Sequence, residues 1–153
     1  MKIEIGLNDA QRKPVVDILN RLLADEVTLY VKTRNFHWNI CGPHFYSYHK
    51  LFESQYSEIE GIIDDIAEKI RSFGHIAPGS MKEFLKSSKL EECPGEDIDA
   101  KKMMTYLLDD HEQIARTLRV TVTDLKEPGT VNFLTGVMEK HEKMAWMLRV
   151  TAE

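Results

Sequence analysis

Cysteine is scarce. Cys41 and Cys93 stand alone, with no CxxC pair among 153 residues. That excludes a disulfide scaffold and a thiolate metal cluster, and two isolated thiols suit a reducing compartment. Long apolar runs are missing as well, since none approaches the ~20 residues of a membrane-spanning helix. The first residues, Met1-Lys2-Ile3-Glu4-Ile5, lack the apolar stretch and the small-residue cleavage site of a secretory signal. The expected location is therefore cytoplasmic, with no membrane partner. Glycine and proline are few, at eight and five, and they fall at breaks between long segments. This is not a low-complexity or disordered composition. Positive charge is in deficit: 20 Lys and Arg against 25 Asp and Glu give a formal net charge of −5. A strongly phosphate-binding surface is disfavoured, although a local basic patch is compatible with that balance.

What is present is 42% apolar and 29% charged residues, enough for a packed core and a soluble surface. The length fits one domain, residues 1–153. The breaks at Gly42-Pro43, Gly74 to Gly79, Cys93-Pro94-Gly95 and Pro128-Gly129 separate stretches of helical periodicity. The first helix is expected from about Asn8 to Asn35, opened by Asn8 and Gln11 as a capping box. The second runs from about His44 to Phe73 and carries a stripe of Phe45, Tyr48, Phe52, Tyr56, Ile59, Ile63, Ile66, Ile70 and Phe73. Ser80 and Glu83 form another capping box, which predicts a short helix around Met81 to Ser87. The third long helix spans about Glu96 to Leu125, with Thr121, Val122 and Thr123 inviting fraying at its end. The fourth starts after Thr130, read as its cap, and reaches about Val150. Nothing reads as a strand beyond Met1 to Ile5. Four helices of roughly 20–30 residues, well above the ordinary mean, imply a four-helix bundle. The long second-to-third connection crosses the bundle in up-down-down-up order. The expected fold is all-α: a ferritin-like four-helix bundle with a short extra helix in the crossover between helices 2 and 3.

Candidate chemistry lies in histidine and carboxylate combinations. On the second helix His49 and Glu53 are four apart, as are Asp64 and Glu68, so each pair shares a face. Either pair alone is commonplace on a solvated helix. His49 and Asp64 are fifteen residues apart, about 22 Å along one helix axis, so they do not bind one ion within one chain. If two copies of the second helix pack antiparallel about a two-fold axis near Glu58 or Ile59, residues whose numbers sum to about 117 lie opposite. His49 then faces the other chain's Glu68, and Glu53 its Asp64. His37, before the Gly42 turn, sits at the height of His49. Each cluster holds His37, His49 and Glu53 from one chain with Asp64 and Glu68 from the other. Two imidazoles and three carboxylates suit iron, manganese or zinc, and a bound cation relieves the repulsion among the carboxylates. Glu-x-x-His, the signature of intra-subunit di-iron bundles, is absent.

The run Lys32-Thr33-Arg34-Asn35-Phe36-His37-Trp38-Asn39, followed by Gly42-Pro43, His49 and Asp64-Asp65-Ile66-Ala67-Glu68-Lys69-Ile70-Arg71, resembles the Dps family of mini-ferritins. The resemblance extends from about Leu7 to Arg149. It implies a ferroxidase centre at a dimer interface, with His37, His49, Asp64 and Glu68 as metal ligands and catalytic residues. Glu53 falls where many members have Asp. Trp38 matches the tryptophan beside the centre. The resemblance further implies a dodecamer that oxidises Fe(II), preferentially with hydrogen peroxide, and stores Fe(III) mineral. Its three-fold pores lie near the start of the last helix, where Asp124 and Glu127 are candidate lining residues and Asn132 replaces a common acid. DNA binding is expected to be weak or absent, because the segment before the first helix is short and has one Lys. Two other readings stay open: a nucleoid protein that compacts DNA with little iron chemistry, and a structural oligomer. His44 and His75 are expected to be solvated, His111 to sit in a surface pair, and Cys41 to be a buried spectator. His141 is a candidate cavity residue.

Overall fold

A computed structural model describes residues 3–94 and 98–152. Its helices are α1 (Asp9–Asn39), α2 (Phe45–Ser72), α3 (Met81–Ser87), α4 (Ala100–Asp124) and α5 (Pro128–Ala152). Among the described residues there is no strand, so Ile3 to Ile5 are not part of one; Met1 and Lys2 lie outside that description. No described helix is long and apolar enough to cross a membrane.

Local chemistry sets most of the boundaries. Asn8 accepts from the Gln11 amide while the Gln11 side chain accepts from the Asn8 amide, and Ser80 and Glu83 repeat the device at α3. Both boxes satisfy amides that a helix start leaves unpaired. The helix α1 runs a turn past the Asn35 boundary. Phe36 and Ile40 are buried there, and the Ile40 amide bonds the Phe36 carbonyl at 2.9 Å. The chain turns only at Gly42, whose φ of +109° is costly for other residues. At the far end of α2, Gly74 has φ +85°, and a side chain there would run into Ile3.

The expectation for the start of the last helix is corrected. Thr130 does not cap the last helix, which already begins at Pro128. The carboxylate of Glu127 takes the Gly129 amide at 2.9 Å and the Thr130 amide at 2.6 Å, so Glu127 satisfies the first turn and Thr130 is buried within it. The helix α4 continues through Thr121 to Thr123 as far as Asp124, and the Thr121 and Thr123 hydroxyls bond back to the Thr117 and Arg119 carbonyls. The helix starts at Ala100, with Asp99 accepting from the Lys102 amide; the expected start at Glu96 falls outside the described residues.

The helices pair as two hairpins, α1 with α2 and α4 with α5, joined by the crossover that carries α3. Leu19, Leu23, Leu29 and Phe36 of α1 meet Phe52, Ile59, Ile62, Ile66 and Ile70 of α2, Leu107 and Leu118 of α4, and Leu134 of α5, all fully buried. Burial of an aliphatic side chain of this size contributes about 1.5–3 kcal/mol. The stripe of α2 is displaced at two places: Ile62 rather than Ile63 is fully buried, and Phe45 is exposed. The crossover is pinned to α1 through Asp25, whose carboxylate accepts from the Ser88 hydroxyl at 2.9 Å and the Lys89 amide at 2.5 Å.

Candidate metal centre

His37 stands in the last turn of α1 and His49 near the start of α2, on opposite sides of the Gly42 turn. Their rings stack with centroids 3.7 Å apart and planes 22° apart. Nδ1 of His37 bonds the His49 carbonyl at 2.9 Å, and Nδ1 of His49 bonds the His37 carbonyl at 2.9 Å. A carbonyl only accepts, so each Nδ1 carries its proton. In the neutral rings the lone pair then sits on Nε2, the nitrogen not committed to the backbone. Both imidazoles are thus fixed in place by the backbone of the facing helix end.

Their surroundings are aromatic and cationic. The Tyr56 ring stands edge-on to His37 at 5.1 Å, and Phe45 lies against His49 at 4.9 Å. The Arg34 guanidinium lies over Tyr56 at 4.7 Å and over Trp38 at 5.2 Å, and donates to the Tyr30 hydroxyl at 2.8 Å. Trp38 itself is 62% exposed and not a core residue.

Glu53 lies one turn beyond His49. Its carboxylate accepts from Lys50 Nζ at 2.5 Å. That hydrogen bond, and then the charges of Lys50 and the nearby His37 and His49, hold the Glu53 carboxyl below the usual carboxylate range despite some desolvation. It is thus an anion near the imidazoles. Asp64 and Glu68 are exposed further along α2, Asp64 about 22 Å from His49 by helix rise. Among the described residues no three His, Cys, Asp or Glu side chains converge to hold an ion. A single chain brings together His37 and His49 with Glu53 a turn away, and leaves Asp64 and Glu68 apart from them.

Elsewhere the histidine expectations divide. His44 is exposed. His75 is only partly exposed, with Nε2 3.4 Å from Asp9. His111 is not in a surface pair: it is fully buried, as is His141, and their Nδ1 atoms are 2.9 Å apart. Asp110 is buried too, against Lys32 at 2.6 Å. The reason is helical phase, which turns residues 110 and 111 towards α1 and α5. Cys41 is exposed rather than buried, since it lies in the open turn before Gly42. The roles of Tyr56 and Arg34 were missed by sequence reasoning. Tyr56 reads as core in the α2 stripe, and only the hairpin sets it beside His37.

The family model described as a ferritin-like domain matches residues 16–153. A low-temperature-induced, uncharacterised protein of Nostoc sp. is 45% identical over 152 residues, covering 97% of this chain and 85% of its own. A protein of Bacillus anthracis named DNA protection during starvation protein 2 is 36% identical over 141 residues, covering 90% of this chain and 95% of its own. The crystal structure of a Dps protein from Vibrio cholerae O1, described as a member of a broad superfamily of ferritin-like diiron-carboxylate proteins, superposes with a TM-score of 0.91. It is 28% identical and covers 100% of this chain and 98% of its own. The bundle is thus of the ferritin-like class. Within that class, the chain belongs to the Dps family.

Proposed function

We propose that the protein is a mini-ferritin that oxidises Fe(II) and stores the Fe(III) product, with hydrogen peroxide as preferred oxidant. In this reading the ferroxidase centre forms where two chains meet. His37, His49 and Glu53 come from one chain, and Asp64 and Glu68 from its two-fold mate. The observation that carries it is the mutual Nδ1-to-carbonyl lock of His37 and His49, which leaves the Nε2 lone pair of each neutral ring to accept a cation.

The division of labour follows from the donor set. Imidazole nitrogens and carboxylate oxygens are suitable donors for ferrous iron, which here is the substrate. Glu53 is held ionised and needs no deprotonation to accept a cation. Two ferrous ions side by side supply both electrons that peroxide needs for reduction to water. A lone ion supplies one and releases hydroxyl radical. The chain's task is to fix the ligands and leave the oxidant a place to bind. Such centres repeated in a dodecameric shell would deliver product to one interior and protect a cytoplasm from oxidative damage.

Peroxide-driven oxidation of Fe(II), followed by stopped-flow absorbance, tests the reading. The wild type is expected to oxidise Fe(II) far faster than His37→Gly/His49→Gly. Equal rates would reject the assigned centre. Particle mass with and without loaded iron separates a dodecamer from a simple dimer.

A second reading, DNA compaction without important iron chemistry, is favoured only by relatives named for DNA protection. Charge opposes it: at −5 per chain, twelve copies carry about sixty formal negative charges, which phosphate repels. A gel-shift series at falling salt and pH decides between them.

A further inference from the structure

The centre of the bundle holds a chain of three fully buried ionisable groups from three helices: Glu26 of α1, His141 of α5 and His111 of α4. His141 Nε2 meets Glu26 Oε1 at 2.8 Å, and His141 Nδ1 meets His111 Nδ1 at 2.9 Å. A carboxylate accepts, so His141 Nε2 donates to it. Whichever nitrogen donates across the His141–His111 gap, two atoms stay without a partner: Glu26 Oε2 and His111 Nε2. Proton counting then limits the states the bundle tolerates. One proton more than the fully neutral histidine pair sets an imidazolium at His141 against the Glu26 anion. A second makes both touching rings cationic and sets their two Nδ1–H donors face to face across 2.9 Å with no acceptor between them.

Among the described residues, the other buried charges are committed elsewhere. On α4 the neighbouring Asp110 is committed to Lys32 of α1. Asp25 of α1 is committed to Ser88 and Lys89 in the crossover. The buried residues of α2 are Phe52, Gln55, Ile59, Ile62, Ile66 and Ile70, none of them charged, and α3 buries only Phe84. Burial, and then the neighbouring His141, pushes the His111 pKa well below that of a free imidazole.

We propose that Glu26, His141 and His111 form an acid-sensitive latch, closed while His111 is neutral and opened by water entering between α4 and α5 when His111 takes a proton. A free histidine titrates near about 6.5. Because the folded state resists the proton that the unfolded chain accepts, His111 contributes stability in full above that pH. The contribution is lost as pH falls below it. The latch acts on the bundle itself, so it stands whether or not the iron-oxidising reading holds.

The test is denaturant unfolding of the full chain from pH 8 to pH 5, comparing wild type with His111→Gln, which keeps a hydrogen-bonding group but does not titrate. In the wild type one histidine of this kind raises the unfolding equilibrium constant by up to about tenfold per pH unit below 6.5. In His111→Gln that increment disappears, while contributions from His37, His44, His49 and His75 are common to both curves and cancel in the difference. Identical slopes would overturn the latch. If the variant does not fold, hydrogen exchange in the wild type decides. Amides around His111 and His141 are expected to lose protection at pH 5.5 relative to pH 7.5, after correction for intrinsic rates, before those of α2 do. Unchanged protection would overturn the proposal.

Discussion

His37 and His49 each donate a ring proton to the other's backbone carbonyl, both at 2.9 Å across the α1–α2 turn. Each ring is oriented by the other residue's backbone carbonyl, and the two rings stack with centroids 3.7 Å apart. Replacing His49 by Phe, which keeps a flat ring in the stack, is expected to cost the metal affinity of one ligand. The His37 ring would keep its acceptor and lose its stacked partner's nitrogen. Cobalt(II) titration followed by absorbance should show at least about a tenfold weakening, the scale on which ligands and their orienting partners act. Unaltered affinity would remove His49 from the centre.

Lys50 occupies the carboxylate of Glu53 at 2.5 Å. Both side chains are substantially solvated, so the pair adds little to stability. Lys50→Ala should leave the unfolding midpoint nearly unchanged and should strengthen ferrous binding at low salt, because a cation no longer competes for Glu53. The check is anaerobic titration calorimetry at two ionic strengths. A weaker, salt-independent binding would contradict the competition.

Lys32 and Asp110 form a buried ion pair at 2.6 Å. Removing one partner strands a charge, and Asp110→Ala is expected to cost about 3–5 kcal/mol. Lys32→Met/Asp110→Leu should recover most of that loss, since burying two charges is itself costly. Urea denaturation of the three proteins distinguishes these outcomes. The pH sign is also set. Burial raises the Asp110 carboxyl, with Lys32 pulling the other way. A raised carboxyl contributes stability below its unfolded pKa and loses it as pH rises through the folded one. Asp110 therefore does not drive acid unfolding, which keeps its signature apart from that of His111.

Asp25 anchors the crossover by accepting from Ser88 and Lys89. Asp25→Ala leaves the Lys89 amide without its acceptor and the Ser88 hydroxyl with only the Leu90 carbonyl at 3.3 Å, and should cost about 1–3 kcal/mol. Limited proteolysis should then cut the crossover first, while α4 and α5 stay protected. Uniform resistance in the variant would show that the anchor is not needed.

The helix plan was legible in the sequence wherever its cause is local. Asn8 with Gln11 and Ser80 with Glu83 mark their helix starts because the partners are three residues apart. The Thr130 error has the same local scale: the carboxylate of Glu127 reaches the amides of the first turn before a threonine hydroxyl does. His37 and His49 were legible as a pair because one glycine turn joins their helices at equal height. Tyr56 beside His37, and Arg34 between its rings, were not, since a periodic apolar stripe does not tell core from rim.

By itself the sequence determined the helices, their order across one long crossover, and a histidine and carboxylate set too far apart along α2 to close within one chain. Spacing along a helix is fixed by a constant rise per residue, so it is readable without coordinates. Only the tertiary structure decided that Glu26, His111 and His141 meet in the core, and that the protons of His37 and His49 sit on Nδ1. Glu26 and His141 are 115 positions apart. Their contact depends on how three helices are rotated about their own axes, and that rotation is set by the packing of the whole core rather than by any segment of the chain.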